Sequence, residues 1–129
     1  MLTICGIDHV VLRVTDIERM RKFYCEVLGA QHVAWRPALG MSHLRVGAAM
    51  IDLVIGERSG CNMDHLCLRV EPFDQAGIVA HLKKHGVKVG DIRERFGAEG
   101  NGVSVYLTDP EGNQVELKGP SDGKPPPAG

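Results

Sequence analysis

Ile7-Asp8-His9-Val10-Val11-Leu12-Arg13-Val14 is written a second time as Met63-Asp64-His65-Leu66-Cys67-Leu68-Arg69-Val70. Five positions coincide at a constant spacing: Asp8 with Asp64, His9 with His65, Leu12 with Leu68, Arg13 with Arg69 and Val14 with Val70. Each copy alternates within an apolar run, as a strand does when one face lies on a helix. Each is followed by a helical stretch and then by further strands, so the repeated unit is a half-domain. If the halves pair about a pseudo-two-fold axis, the two histidines face each other.

Downstream of the first copy, Thr15-Asp16-Ile17-Glu18 predicts a capping-box helix start at Thr15. Ile17, Met20, Phe23, Tyr24, Val27 and Leu28 recur at helical spacing, and Gly29 ends the helix. Strands are expected over 31–36, 41–47 and 50–55, with turns at Pro37–Gly40 and Gly47–Ala49. The first module, 6–56, is therefore β-α-β-β-β. Residues 56–62 are polar and glycine-containing, as a linker would be. The second module, 62–118, repeats the order: a strand over 63–70, a helix opened by Pro72 and stopped by Gly86, then strands near 87–94, 102–108 and 113–118. Asp109-Pro110-Glu111-Gly112-Asn113 is a turn that joins the last two strands as a hairpin. Residues 119–129 lack apolar periodicity and read as a disordered tail.

Length bounds the chain to one domain with a real core. The apolar fraction of 43% and charged fraction of 24% are those of a globular protein. A net charge of −1 without a basic cluster gives no reason to expect nucleic acid or a membrane surface as partner. The N-terminus has no signal-peptide pattern. Cys5, Cys25, Cys61 and Cys67 form no C-x-x-C pair and read as reduced thiols, so a cytoplasmic location is expected.

Strand alternation then sorts the side chains. Val10, Leu12 and Val14 oppose His9, Val11 and Arg13; Leu66, Leu68 and Val70 oppose His65, Cys67 and Arg69. In the last strand of each module, Ile51, Leu53 and Ile55 oppose Asp52, while Val115 and Leu117 oppose Glu116. With the apolar faces on the helices, two imidazoles and two carboxylates share the other surface. Carboxylates on a largely buried face are costly unless paired or metal-bound. Imidazoles combined with hard oxygen donors suit one divalent transition metal such as Ni, Zn, Co, Mn or Fe.

The stretches 7–16, Phe23-Tyr24-Cys25-Glu26-Val27-Leu28-Gly29, Asp64-His65-Leu66 and 109–117 together resemble the vicinal oxygen chelate superfamily, also called the glyoxalase/bleomycin-resistance/dioxygenase superfamily. The likeness spans residues 7 to about 119. It implies an α+β fold in which two β-α-β-β-β modules form a cupped eight-stranded mixed sheet, helices on the convex side, around a divalent metal, often in a homodimer. The family's metal ligands match His9, His65 and Glu116; a fourth falls at Asp52, which is one methylene shorter than the usual Glu or Gln. The family chemistry is Lewis-acid stabilisation of an enediolate or oxyanion on a small molecule with vicinal oxygens. A displaced ligand carboxylate serves as proton shuttle, and Glu116 has the reach for it. A glyoxalase-type lyase or isomerase is the leading expectation. An Fe(II) extradiol-type dioxygenase and a non-catalytic antibiotic-type binding protein are the alternatives. Ser104-Val105-Tyr106 matches the Ser-x-Tyr of fosfomycin-resistance members, but Val11 and Phe96 stand where those members carry Thr and Lys.

Several assignments have two readings. Asp52 is a ligand, or a carboxylate that orients a histidine or water. Arg13 and Arg69 hold an anionic substrate group in the cup, or form structural ion pairs. Tyr106, with Ser104, hydrogen-bonds substrate or fills the wall. Cys67 is a reactive thiol or a small wall residue. His32, His43, His81 and His85 show no ligand spacing and are expected at the surface. The stretch 96–102 is a mobile rim over the site or an ordinary glycine-rich turn.

Overall fold

The computed structural model describes residues 2–27, 29–57, 59–60, 62–108 and 113–128. Its strands are β1 (Thr3–Val14), β2 (Gln31–Arg36), β3 (Met41–Val46), β4 (Ala49–Ile55), β5 (Met63–Glu71), β6 (Val89–Gly97), β7 (Gly100–Thr108) and β8 (Gln114–Lys118). Helix α1 (Ile17–Lys22) runs into a π-helical turn (Phe23–Val27), and α2 is Gln75–Lys84. The eight strands form one sheet in the order β2-β3-β4-β1-β5-β8-β7-β6. Within each module the first and last strands run parallel, β1 with β4 and β5 with β8, and the modules join antiparallel through β1 and β5. The expected α+β fold of two β-α-β-β-β modules is the observed one.

The seam carries the duplication. His9 pairs with Cys67 and Val11 with His65, a symmetric register about an axis between the two strands. Val11 pairs with Asp52 on one side, and Cys67, its repeat equivalent, pairs with Glu116 on the other. Asp52 and Glu116 therefore occupy matching places. The apolar faces pack as expected. Val14, Leu44 and Leu53 meet Ile17 and Met20, while Val70, Val105 and Leu117 meet Ile78 of α2. Fully burying such side chains contributes about 1.5–3 kcal/mol each. Among the described residues no helix is long and apolar enough to cross a membrane.

Three expectations are corrected. Asp16, not Thr15, caps α1: its carboxylate accepts from the Arg19 N–H at 3.1 Å. The helical stripe does not continue to Gly29 in α geometry. The π turn rotates it, leaving Phe23 and Val27 exposed, while Leu28 lies outside the described residues. Helix α2 starts three residues after Pro72, behind Asp74. Of the two readings of 96–102, the structure takes the turn: a tight hairpin end with Gly97 paired to Gly100 across Ala98–Glu99.

The C-terminal stretch also departs from the reading of a disordered tail. The amides of Gly119, Asp122 and Gly123 donate to the carbonyls of Val103, Asn101 and Glu99, and the Asp122 carboxylate accepts from the Asn101 N–H at 2.8 Å. The docking is made by backbone and turn hydrogen bonds, which leave no apolar period in the sequence to read.

Candidate metal centre

The site begins with two dipeptides. In Asp8-His9 and Asp64-His65, each aspartate accepts from the following imidazole: Asp8 Oδ1 lies 2.7 Å from His9 Nδ1, and Asp64 Oδ2 lies 2.7 Å from His65 Nδ1. Each aspartate is itself held. The Ala98 N–H donates to Asp8 Oδ1 at 2.7 Å, and the Arg13 guanidinium pairs with Asp64. With both Nδ1–H groups donated to carboxylates, the two Nε2 atoms are left facing each other across the cup, and each offers a lone pair once it is free of a proton.

Those lone pairs converge with a carboxylate. His9 Nε2 and His65 Nε2 are 3.2 Å apart; Glu116 Oε1 lies 3.5 Å from the first and 3.0 Å from the second. All three residues are buried. Neighbouring ligands of one ion bound at about 2.0–2.2 Å are spaced about 3.0–3.4 Å apart, so the set fits a single divalent cation. Glu116 Oε2 is buried without a hydrogen-bond partner among the described residues, leaving one carboxylate oxygen for further coordination or for a proton.

The electrostatics carry the same tension. Burial alone would raise the Glu116 pKa. Hydrogen bonds from His65 and His9 outweigh it and hold the carboxyl well below the usual range. Burial alone would lower the His9 pKa, but Asp8, Cys67 and Glu116 hold it well above the ordinary value. Without a metal, the three groups are reconciled by a retained proton.

Asp52 stands apart from this triangle. Its Oδ1 lies 2.7 Å from His43 Nδ1, and its Oδ2 is 4.0 Å from His9 Nε2. The geometry favours the orienting reading over direct ligation. His43, expected at the surface, is 2% exposed, lines the cup, and leaves its Nε2 buried without a partner. Spacing along the chain does not reveal this residue; a two-residue turn at Gly47–Ala48 pairs Val46 with Ala49 and therefore His43 with Asp52.

The remaining residues separate. Tyr106 lines the cup with its ring 5.4 Å from that of His65, and burial followed by the Glu116 charge pushes its hydroxyl up to about 12. Ser104 is fully buried and accepts from Arg95 Nη1 at 2.8 Å. Cys67 is fully buried beside His9, and burial pushes its thiol up to about 12, which matches the wall reading. Arg13 does not line the cup. It lies four residues along β1 from His9, in a separate cleft with Phe23 and Asn62, where it pairs with Asp64, the extra residue at the β5 bulge. Arg69 pairs with Glu71 and Glu99, away from the cup. Cys61 and the turn residues 109–112 lie outside the described residues.

A sequence model of the Glyoxalase/Bleomycin resistance protein/Dioxygenase superfamily matches residues 6–117. The chain belongs to this superfamily. Among its glyoxalase-superfamily relatives, a virulence protein of Salmonella typhimurium is 33% identical over 122 residues, covering 86% of this chain and 81% of the relative. The superfamily fold is shared with methylmalonyl-CoA epimerase from Mycobacterium tuberculosis at a TM-score of 0.67 and 24% identity, covering 92% of this chain and 90% of that one. It is shared too with the Mn(II)-bound glyoxalase from Novosphingobium aromaticivorans at a TM-score of 0.78 and 17% identity, covering 99% of this chain and 42% of that one.

Proposed function

We propose that this chain is a divalent-metal-dependent enzyme of the glyoxalase type, a lyase or isomerase acting on a small molecule with vicinal oxygens. His9, His65 and Glu116 would hold the ion. The observation that carries this reading is the convergence of two imidazole lone pairs and a carboxylate oxygen within 3.0–3.5 Å in a buried site. Three such donors repel one another unless a cation or proton lies between them. A bound divalent ion supplies Lewis-acid polarisation of the substrate's oxygens, which acidifies the neighbouring C–H.

The chain's own groups supply the proton transfer. Glu116 Oε2, buried and without a partner, is one acceptor. His43 Nε2, with Nδ1 held by Asp52, is a second, on the other module. Superfamily members named as an epimerase and a glyoxalase are in keeping with such chemistry. The test is elemental analysis of untagged protein, wild type beside Glu116→Gln. One transition metal per chain in the wild type, lost from the variant, supports the reading. No metal in either after reconstitution overturns it and leaves a small-molecule binding protein.

One observation favours a second reading. With Asp52 committed to His43, the ligands reduce to two histidines and one carboxylate, the set used by non-haem Fe(II) oxygenases. Iron as the native metal, together with oxygen uptake on adding a catechol, would select the dioxygenase.

A further inference from the structure

The cup is also lined by a cation that reading the sequence did not single out. Arg95 extends along β7: its Nη1 donates to Ser104 Oγ at 2.8 Å and Ser104 O at 3.2 Å, and its Nη2 pairs with Asp91 at 3.0 Å. Its guanidinium lies 4.1 Å above the Tyr106 ring, and that ring lies 5.4 Å from His65. The charge is thus two ring contacts from the metal ligands and is fixed in place. Only 15% of the Arg95 side chain is exposed, while its partner Asp91 is half exposed. Arg93 and Arg36, from the two outer strands, line the same cavity of about 490 Å³, as does Glu94. Arg93 and Arg95 share the single carboxylate of Asp91, at 2.6 and 3.0 Å, so that carboxylate balances only one of the two guanidiniums. The cavity's apolar wall includes Phe96, Leu39 and Met41.

We infer that the substrate carries a carboxylate about one aromatic ring's breadth from its vicinal oxygens, with an apolar body between them, and that Arg95 receives that carboxylate. The inference rests on the metal-enzyme reading above and adds the substrate class. A planar guanidinium already locked by Ser104 and Tyr106 binds a carboxylate at little further loss of side-chain entropy, and charge-assisted pairing in a half-enclosed cavity is stronger than at an open surface. The spacing does the selecting: the metal takes one end of the molecule and Arg95 the other.

The test uses hydroxamates, which chelate a metal through two vicinal oxygens. Zinc-loaded protein is titrated calorimetrically with 4-carboxybenzohydroxamate and with its uncharged isostere, 4-carbamoylbenzohydroxamate. The expected result is a preference for the carboxylate of about tenfold or more. In Arg95→Gln the preference collapses towards unity, while bound zinc, which Arg95 does not touch, reports that the variant is folded. Equal affinities in zinc-loaded wild type overturn this inference alone, and that comparison needs no variant. Failure of the wild type to take up zinc overturns the metal reading and this inference with it.

Discussion

Each histidine proposed as a ligand is held by the aspartate that precedes it, which sets both the tautomer and the direction of Nε2. Such carboxylate–histidine pairs strengthen a ligand and typically carry 10–100-fold in metal affinity. Asp8→Asn and Asp64→Asn are each expected to weaken metal binding by roughly that factor while the protein stays folded, measured by competition with a chromophoric chelator. Arg13 partners Asp64, so Asp64 has a brace that Asp8 lacks; Asp8 has the Ala98 amide instead. Proton competition gives a second expectation. The pKa of His9 in the metal-free protein is raised, so its proton must leave before a metal enters. Apparent affinity should therefore rise with pH until pH passes the raised His9 value, then level off. Affinity that is flat from pH 6 upward would show that His9 carries no such proton. Cys67, pushed up to about 12 by burial, should resist iodoacetamide in native protein at neutral pH, whereas exposed Cys5 reacts; peptide mass mapping distinguishes the two.

Among the elements, the β6–β7 hairpin reaches furthest into the site's support. Its turn places the Ala98 amide on Asp8, and Gly97 lies so close to Asp8 Oδ1 that an added Cβ would collide there and fall 2.8 Å from Lys118 Cε. Gly97→Ala must push either group aside. It is expected to cost about 1–3 kcal/mol of stability and to lower metal affinity through Asp8, read by thermal melts with and without zinc. A variant with wild-type melting and wild-type zinc affinity would show that this hairpin does not brace His9. The β3–β4 hairpin does the comparable work in module one, since its two-residue turn sets His43 against Asp52.

At the scale of the whole molecule, the seam between modules builds the centre: His9 and His65 come from its two strands, Glu116 from the next strand out. The C-terminal stretch closes over module two. Lys118 is fully buried, its ammonium donating to Gly100 O at 3.0 Å and to Ser121 Oγ. Ending the chain at Pro120 removes one of those acceptors and the backbone bonds from Asp122 to Asn101 and from Gly123 to Glu99, leaving a buried cation short of a partner. A loss of about 1–3 kcal/mol is expected in urea unfolding, and an unchanged midpoint would refute the docking.

The Asp-His repeat, the glycine stops after both helices and the alternation of each strand are local patterns of side-chain period and backbone conformation. By themselves they determined the two-module fold and the face on which His9, His65, Glu116 and Asp52 lie. Which of those four converge was decided by tertiary structure. Strand register in the β3–β4 hairpin gave Asp52 to His43, the bulge of β5 at Asp64 gave Arg13 an ion-pair partner outside the cup, and the edge strand β6 brought in Arg95. Alternation states which face a side chain takes; only pairing across strands, fixed by turns and bulges distant in sequence, states what it meets there.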